Sequence, residues 1–224
     1  MPRERPAAVL WDMDGTIVDT EPYWIAAEHE VVGMHGGTWS LEHGKAVVGK
    51  DLLDTGAYVC DNGPVPLEPR EIVELLLDRV IASVRREIPW RPGARELLAD
   101  CRVHGSPAAL VTMSWRRFAT EVVEALPPAS FDTVVVGDDV ARGKPHPDPY
   151  LLAAERLGVD PRDCLAVEDS PTGVASALAA GCIVLAVPHM VPIPAPVGSD
   201  GRFVVRDSLS GLLHRDLADL MGRH

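Results

Sequence analysis

Asp12 and Asp14 stand two positions apart in Asp12-Met13-Asp14-Gly15-Thr16, directly after a short apolar run. On an extended segment side chains i and i+2 point the same way, so both carboxylates can reach one phosphoryl-sized group. One can attack, and the other can give a proton to the leaving oxygen. Gly15 allows a sharp turn that brings backbone amides near an anion. Two further apolar runs also end in polar groups. Ala108–Val111 leads into Thr112-Met113-Ser114, and Cys164–Val167 leads into Glu168-Asp169-Ser170. Lys144 sits in the turn Gly143-Lys144-Pro145 before a helix. In open α/β sheets, ligands bind beyond the carboxyl ends of the strands, so these groups should collect at one edge. Four carboxylates meeting there repel unless a cation neutralises them. Oxygen ligands without His or Cys suit Mg²⁺, which shares its ligands with phosphate oxygens. The chemistry this implies is phosphoryl transfer by positioning and charge neutralisation.

The elements that must position these residues follow from periodicity. Ala7 to Trp11 reads as a buried strand. Glu21 to Pro89 reads as all helical, with breaks at His35-Gly36-Gly37, at the loop Val48-Gly49-Lys50-Asp51 and at the turn Asp61-Asn62-Gly63-Pro64. Ser40 and Asp51 are placed to cap helices. Ile72, Val73, Leu76, Val80, Ile81, Val84 and Ile88 recur at helical spacing and give one packing stripe. After Pro92 helices and strands alternate: helix 93–103, strand 108–112, helix 114–126, strand 131–136, helix 147–157, strand 164–167, helix 170–180, strand 182–187, strand 203–205 and helix 210–220. That alternation predicts a parallel sheet covered on both faces, with right-handed crossovers. The expected architecture is α/β: a three-layer Rossmann-like parallel-sheet core, residues 1–20 and 90–224, with a small helical cap domain, residues 21–89, inserted after the first strand. Pro188 to Pro196 must be an extended connection, read as a surface loop.

The chain has 224 residues, 46% of them hydrophobic, and a formal net charge of −12. An acidic surface argues against nucleic-acid or anionic-membrane partners. A phosphorylated substrate then needs a locally positive site. Lysine is scarce, only Lys45, Lys50 and Lys144, so a lysine inside a motif is informative. Cys60, Cys101, Cys164 and Cys182 form no C-x-x-C pair, which argues against zinc and fits a reduced, cytoplasmic compartment. Pro2-Arg3-Glu4-Arg5-Pro6 is not followed by a signal-peptide core, and no apolar run is long enough to span a bilayer. A monomer is the default expectation.

Taken in order, Asp12-Met13-Asp14-Gly15-Thr16, Thr112, Lys144 in Gly-Lys-Pro-His-Pro-Asp-Pro-Tyr (143–150), and Glu168-Asp169 in Val-Glu-Asp-Ser-Pro-Thr-Gly-Val-Ala-Ser-Ala (167–177) resemble the four motifs of the haloacid-dehalogenase-like phosphatases. The resemblance covers nearly the whole chain and extends to the helical insert. It implies that Asp12 is the nucleophile that becomes an aspartyl-phosphate, and that Asp14 is the general acid and then the base. Thr112 and Lys144 would bind the phosphoryl group. Mg²⁺ would rest on the Asp12 side chain, the Asp14 backbone carbonyl and Asp169, with Glu168 helping directly or through water.

Each residue also has a plainer reading. Asp12 and Asp14 could form a turn or helix cap, Glu168-Asp169 an N-cap beside Ser170, and Thr112 a satisfied strand end. Lys144 could be an ordinary surface lysine. Ser114 could bind phosphate or cap helix 114–126, and capping is the favoured reading. Lys50 could touch substrate or be a solvated lysine. Arg116 or Arg117 could face the pocket, and His146 and His189 are expected in exposed loops.

The leading function is hydrolysis of a small phosphomonoester, of sugar or polyol type. The alternative is a hexose-phosphate mutase of the β-phosphoglucomutase type. That subfamily has a His where Trp24 stands and a cap Arg where Leu52 stands, and Thr16 is also more typical of the phosphatases. A phosphonatase would need a cap lysine placed for a Schiff base, and Lys50 is not clearly so placed. A non-catalytic phosphate-sensing domain is the alternative from another class; such domains usually lose the nucleophile, and the intact motif set argues against it.

Overall fold

The structure, a computed structural model, describes residues 5–48, 50–199 and 201–221. Residues 1–4 of the N-terminal stretch, Gly49 of the expected cap loop and the last three residues of the core span lie outside the described residues.

Six strands form one parallel sheet: β1 (Ala8–Trp11), β2 (Ala108–Val111), β3 (Thr133–Val135), β4 (Cys164–Glu168), β5 (Ile183–Ala186) and β6 (Phe203–Val205). Their order is β3-β2-β1-β4-β5-β6, so β1 is central. Trp11 pairs in register with Leu110 on one side and Val167 on the other. The chain leaves β1 toward β2 and β3, then returns to β4 on the far side. The point where this order reverses is the open crevice of such sheets, and it lies at the carboxyl end of β1.

The four inner strands are buried and apolar up to Glu168 at the end of β4, because both faces are covered. Val9, Trp11, Ala108, Leu110, Leu165, Val167, Ile183 and Leu185 enter the core on one face. Ala8, Leu10, Ala109, Val111, Cys164, Ala166, Val184 and Ala186 enter the other. This period-2 partition makes two cores from one continuous apolar pattern. Small residues dominate the second face and let α7 (Asp148–Leu157) and α8 (Pro171–Ala180) approach closely.

Between β1 and β2 run α1 (Glu21–Met34), α2 (Leu41–Val47), α3 (Leu52–Asn62), α4 (Pro69–Arg86) and α5 (Ala94–Val103). No strand forms between residues 21 and 89 among the described residues. The capping expectations hold. The Ser40 hydroxyl accepts from the His43 N–H, and the Asp51 carboxylate accepts from the Leu53 N–H. The turn read at 61–64 starts later, since α3 continues through Asn62. The 72–84 stripe of α4 is fully buried and joins the same core as the first sheet face. α4 also meets α6 (Arg116–Glu124) through ion pairs. Arg85 pairs with Glu121 at 2.6 Å, and Arg117 bridges Glu74 and Asp78.

Several expected bounds shrink. The helix after β2 starts at Arg116 rather than residue 114, and β3 covers 133–135 rather than 131–136. α9 (His214–Met221) also starts late. The connection 188–196 has no regular structure, as expected. Among the described residues no helix is long and apolar enough to cross a membrane.

The N-terminal turn of α8 lies against the last residue of β4. A Cβ built on Gly173 would fall 1.9 Å from Glu168 Oε1. Gly→Ala in a helix normally gains up to about 1 kcal/mol. Here overpacking should reverse the sign, and Gly173→Ala is expected to destabilise by about 1–3 kcal/mol in chemical denaturation. A stabilised variant would contradict this packing.

Candidate active site

Asp12 follows β1, Thr112 follows β2, Glu168 ends β4 and Asp169 follows it, so all four reach the carboxyl edge. Lys144 enters from the turn before α7 and is 6% exposed. Its Nζ donates to Asp12 Oδ1 at 2.6 Å, to Glu168 Oε1 at 2.6 Å and to the Val111 carbonyl at 2.9 Å. Burial works against the charged ammonium, but Asp12 and Glu168 together more than offset it and keep its pKa above the ordinary lysine value. Glu168 is fully buried. Its Oε1 also accepts from the Tyr150 hydroxyl at 2.6 Å, and its Oε2 from the Ser170 hydroxyl at 3.2 Å.

One lysine does not satisfy this cluster. Asp12 Oδ2 and Asp169 Oδ2 are buried and have no hydrogen-bond partner among the described residues. Burial, above all, pushes the Asp12 carboxyl up to about 7, with Lys144 pulling it down and Glu168 pushing it up. Burial, then Asp12 and Glu168, push Asp169 well above the carboxylate range. One oxygen from each of Asp12, Glu168 and Asp169 can be chosen so that all lie within 4.8 Å of one another. Carboxylates this close, two of them with an orphaned oxygen and with no nitrogen or sulfur donor in the group, suit a hard divalent cation.

Asp14 lies three positions beyond β1, in an isolated bridge with Val18 that the turn at 15–17 closes. It lines the same cavity as Asp12. Its Oδ1 accepts from the Thr20 hydroxyl at 2.5 Å and from Trp24 Nε1 at 3.4 Å. Its Oδ2 accepts from the Ser114 hydroxyl at 2.7 Å and the Thr112 hydroxyl at 3.3 Å.

Three expectations are thereby revised. Ser114 does not cap α6, whose N-cap position is Trp115; its hydroxyl is spent on Asp14. Gly15 keeps its positive φ of 82°, but its N–H donates to the Val18 carbonyl at 2.7 Å and is not open to an anion. Glycine is needed there because a Cβ would lie 2.1 Å from Asp169 Oδ2. Arg116 and Arg117 point away from the cavity, toward Asp139 and toward α4 respectively. Lys50 does line the cavity, with its ammonium 5.4 Å from the Tyr58 ring centroid.

His146 is exposed as expected, but His189 is not a free loop residue. Its Nδ1 takes a hydrogen bond from Arg91 at 2.8 Å, and its Nε2 contacts Asp19 Oδ1 at 2.7 Å. An arginine can only donate, so Nδ1 is the acceptor and Nε2 carries the proton toward Asp19. The ring therefore straps the Pro-rich connection to both chain segments that join the helical insert to the sheet.

The cavity above the carboxylates encloses about 730 Å³ with its open mouth. Trp24, noted in the mutase comparison, lines it together with residues that sequence reasoning did not single out. Glu21, Trp24, Ile25 and Glu28 form one face of α1, and Gly44, Val47 and Val48 stand in its wall as well. The signal was present as the spacing 21, 24, 25, 28, with two acids on an otherwise apolar face. Burial, then Asp14, pushes Glu21 up to about 8. Burial pushes Glu28 up to about 7 against the hydrogen bond from Trp39.

A carboxyl raised in this way holds its proton more tightly folded than unfolded. Its contribution to stability is full below the ordinary 4.5 and is lost as pH rises through about 7. In metal-free protein, Glu28→Gln should remove this loss. Wild type is expected to fall relative to the variant by on the order of 3 kcal/mol between pH 4 and 8, measured by urea unfolding. A pH-independent difference would contradict it.

A family profile described as haloacid dehalogenase-like hydrolase matches residues 9–187. Hexitol phosphatase B of Escherichia coli (strain K12) is 33% identical over 96% of this chain and 96% of that protein. Phosphoglycolate phosphatase of the same strain is 32% identical over 78% of each chain. The crystal structure of CbbY from Rhodobacter sphaeroides in complex with phosphate superposes with a TM-score of 0.82 at 28% identity, covering 92% of this chain and 96% of that one. The chain belongs to the haloacid dehalogenase-like hydrolase family.

Proposed function

We propose that this hydrolase cleaves a small phosphomonoester of sugar or polyol type, using the Asp12 carboxylate as nucleophile. The observation that carries this reading is the pairing of Asp12 with Lys144 at 2.6 Å, at the switch point of the sheet, beside an Asp14 held by four donors. The named phosphatase relatives support the substrate class.

In the first half-reaction an Asp12 oxygen bonds to phosphorus as the ester oxygen–phosphorus bond breaks. Asp14 gives its proton to the departing oxygen, and the alcohol leaves. In the second half, Asp14 takes a proton from water, whose oxygen attacks phosphorus. Asp12 is released and inorganic phosphate departs. Thr20 and Ser114 hold the Asp14 side chain for both transfers, and Thr112 reaches the same oxygen as Ser114. Lys144 balances charge on Asp12 and on the phosphoryl oxygens. Glu168 and Tyr150 fix that lysine in place.

Asp12, Asp169 and the Asp14 carbonyl would hold Mg²⁺, an assignment that fits the two orphaned oxygens. Both oxygens of Glu168 already have partners, which suits support through water or through Lys144. When bound, Mg²⁺ supplies neutralisation of the phosphoryl charge. Residues 21–89 act as a cap over a core of residues 1–20 and 90–224, excluding bulk water from the reacting phosphoryl group. The four free cysteines fit a cytoplasmic setting. Trp24 and Leu52, both in the cavity wall, continue to favour the phosphatase over the mutase reading.

In a phosphate-release assay with a hexitol monophosphate, Asp12→Asn should lose at least about a thousandfold in kcat while keeping its fold by circular dichroism. EDTA should abolish wild-type turnover, and added Mg²⁺ should restore it. Wild-type rates in Asp12→Asn would remove this mechanism.

A further inference from the structure

The cavity wall suggests how the non-reacting part of the substrate is read, given the phosphatase function proposed above. Glu21 and Glu28 are seven residues apart on α1 and both line the cavity. At the rise of a helix they are separated by about 10 Å, the reach of a short carbon chain. Glu21 is 7% exposed, lies at the catalytic end with Asp14, and has an Oε2 without a partner. Glu28 is 2% exposed and stands two turns further along α1. Its Oε2 accepts from Trp39 Nε1 at 2.8 Å, one bond against the several that a carboxyl can make. A Cβ on Gly44 would come 3.0 Å from Ile25 Cγ1 and 3.4 Å from Glu28 Oε2, so glycine there lets α2 pack close against this face of α1.

Buried carboxyls with unfilled hydrogen-bonding capacity are costly unless a ligand completes them. Hydroxyl groups are the matching partners. Trp24 and Ile25, on the turn between the two acids, offer apolar surface to the carbon chain. The same wall is unsuited to a second phosphate. Among the described residues lining the cavity, the cations are Lys50 and Lys144, and Lys144 is already engaged by Asp12 and Glu168. A distal phosphate dianion would sit against Glu28 with Lys50 as its one counter-charge, and like charges in a buried site repel.

We infer that Glu21 and Glu28 are specificity-determining residues that bind the hydroxyls of an uncharged polyol chain carrying a single phosphate, and that the pocket rejects bisphosphates.

The test is steady-state kinetics with Mg²⁺ on three substrates: a hexitol monophosphate, an aryl phosphate without hydroxyls, and a sugar bisphosphate. Wild type should prefer the hexitol monophosphate to the bisphosphate by at least about tenfold in kcat/KM. Glu28→Leu should lower the hexitol-to-aryl ratio of kcat/KM by about tenfold or more, chiefly through KM. Glu28→Gln, which keeps an acceptor oxygen, should recover most of that ratio. Glu21→Leu carries the same expectation and keeps the question open to test should Glu28→Leu not fold. Equal losses on the hexitol and aryl substrates, or a bisphosphate turned over as well as the monophosphate, would overturn the inference while leaving the phosphatase reading intact. If wild type hydrolysed none of the three, the phosphatase reading would fall, and the inference with it.

Discussion

The ammonium of Lys144, held between Asp12 and Glu168 at 2.6 Å from each, is the interaction on which the rest of the site depends. Three carboxylates from the ends of β1 and β4 crowd one buried edge. Without a cation their mutual repulsion and desolvation would disfavour the fold itself. Lys144 meets part of this demand and leaves Asp12 Oδ2 and Asp169 Oδ2 unpaired among the described residues. Tyr150, Ser170 and the Val111 carbonyl complete the shell around lysine and glutamate. Gly173 and Gly15 leave room for Glu168 and Asp169 respectively. Stability and chemistry therefore rest on the same few atoms.

Asp14 occupies a different environment a short distance away. Hydroxyls from Thr20 before α1 and from Thr112 and Ser114 after β2 converge on it from two separate segments, and the Trp24 indole joins them. Thr20 immediately precedes α1, and α1 supplies one wall of the cavity. Asp14 is thus tied directly to the helix that walls the cavity. His189 and Arg91 brace the same junction from the sheet side.

Much of this was legible in the sequence. The strands could be read because a sheet covered on both faces needs unbroken apolar runs, and each such run ends at a turn. Asp12, Glu168 and Asp169 could be placed because the sheet geometry sends the end of each strand to one edge, and Lys144 because its Gly-Lys-Pro turn before a helix resembles a family motif. Other features depended on tertiary neighbours. Ser114 has equal local reason to cap a helix or to reach a carboxylate, and only the approach of Asp14 decides between them. The Gly15 amide has equal reason to meet an anion or a carbonyl, and Val18 claims it. Glu21 and Glu28 read locally as acids on a helix. Their spacing marks one face of α1, but burial comes from tertiary neighbours: the Asp12–Asp14 end for Glu21, and Trp39 and Gly44 for Glu28. Arg117 reads as pocket-facing until α4 offers Glu74 and Asp78.

The central claim is that Asp12, and no other group, forms the bond to phosphorus. A crystal structure of the protein grown with Mg²⁺ and beryllofluoride, a mimic of an acyl phosphate, tests it most directly. The account predicts trifluoroberyllate bonded to a carboxylate oxygen of Asp12, with Lys144 and the metal site around it. Beryllofluoride bonded to another side chain, or absent from Asp12 at saturating concentration while Mg²⁺ is bound, would contradict it.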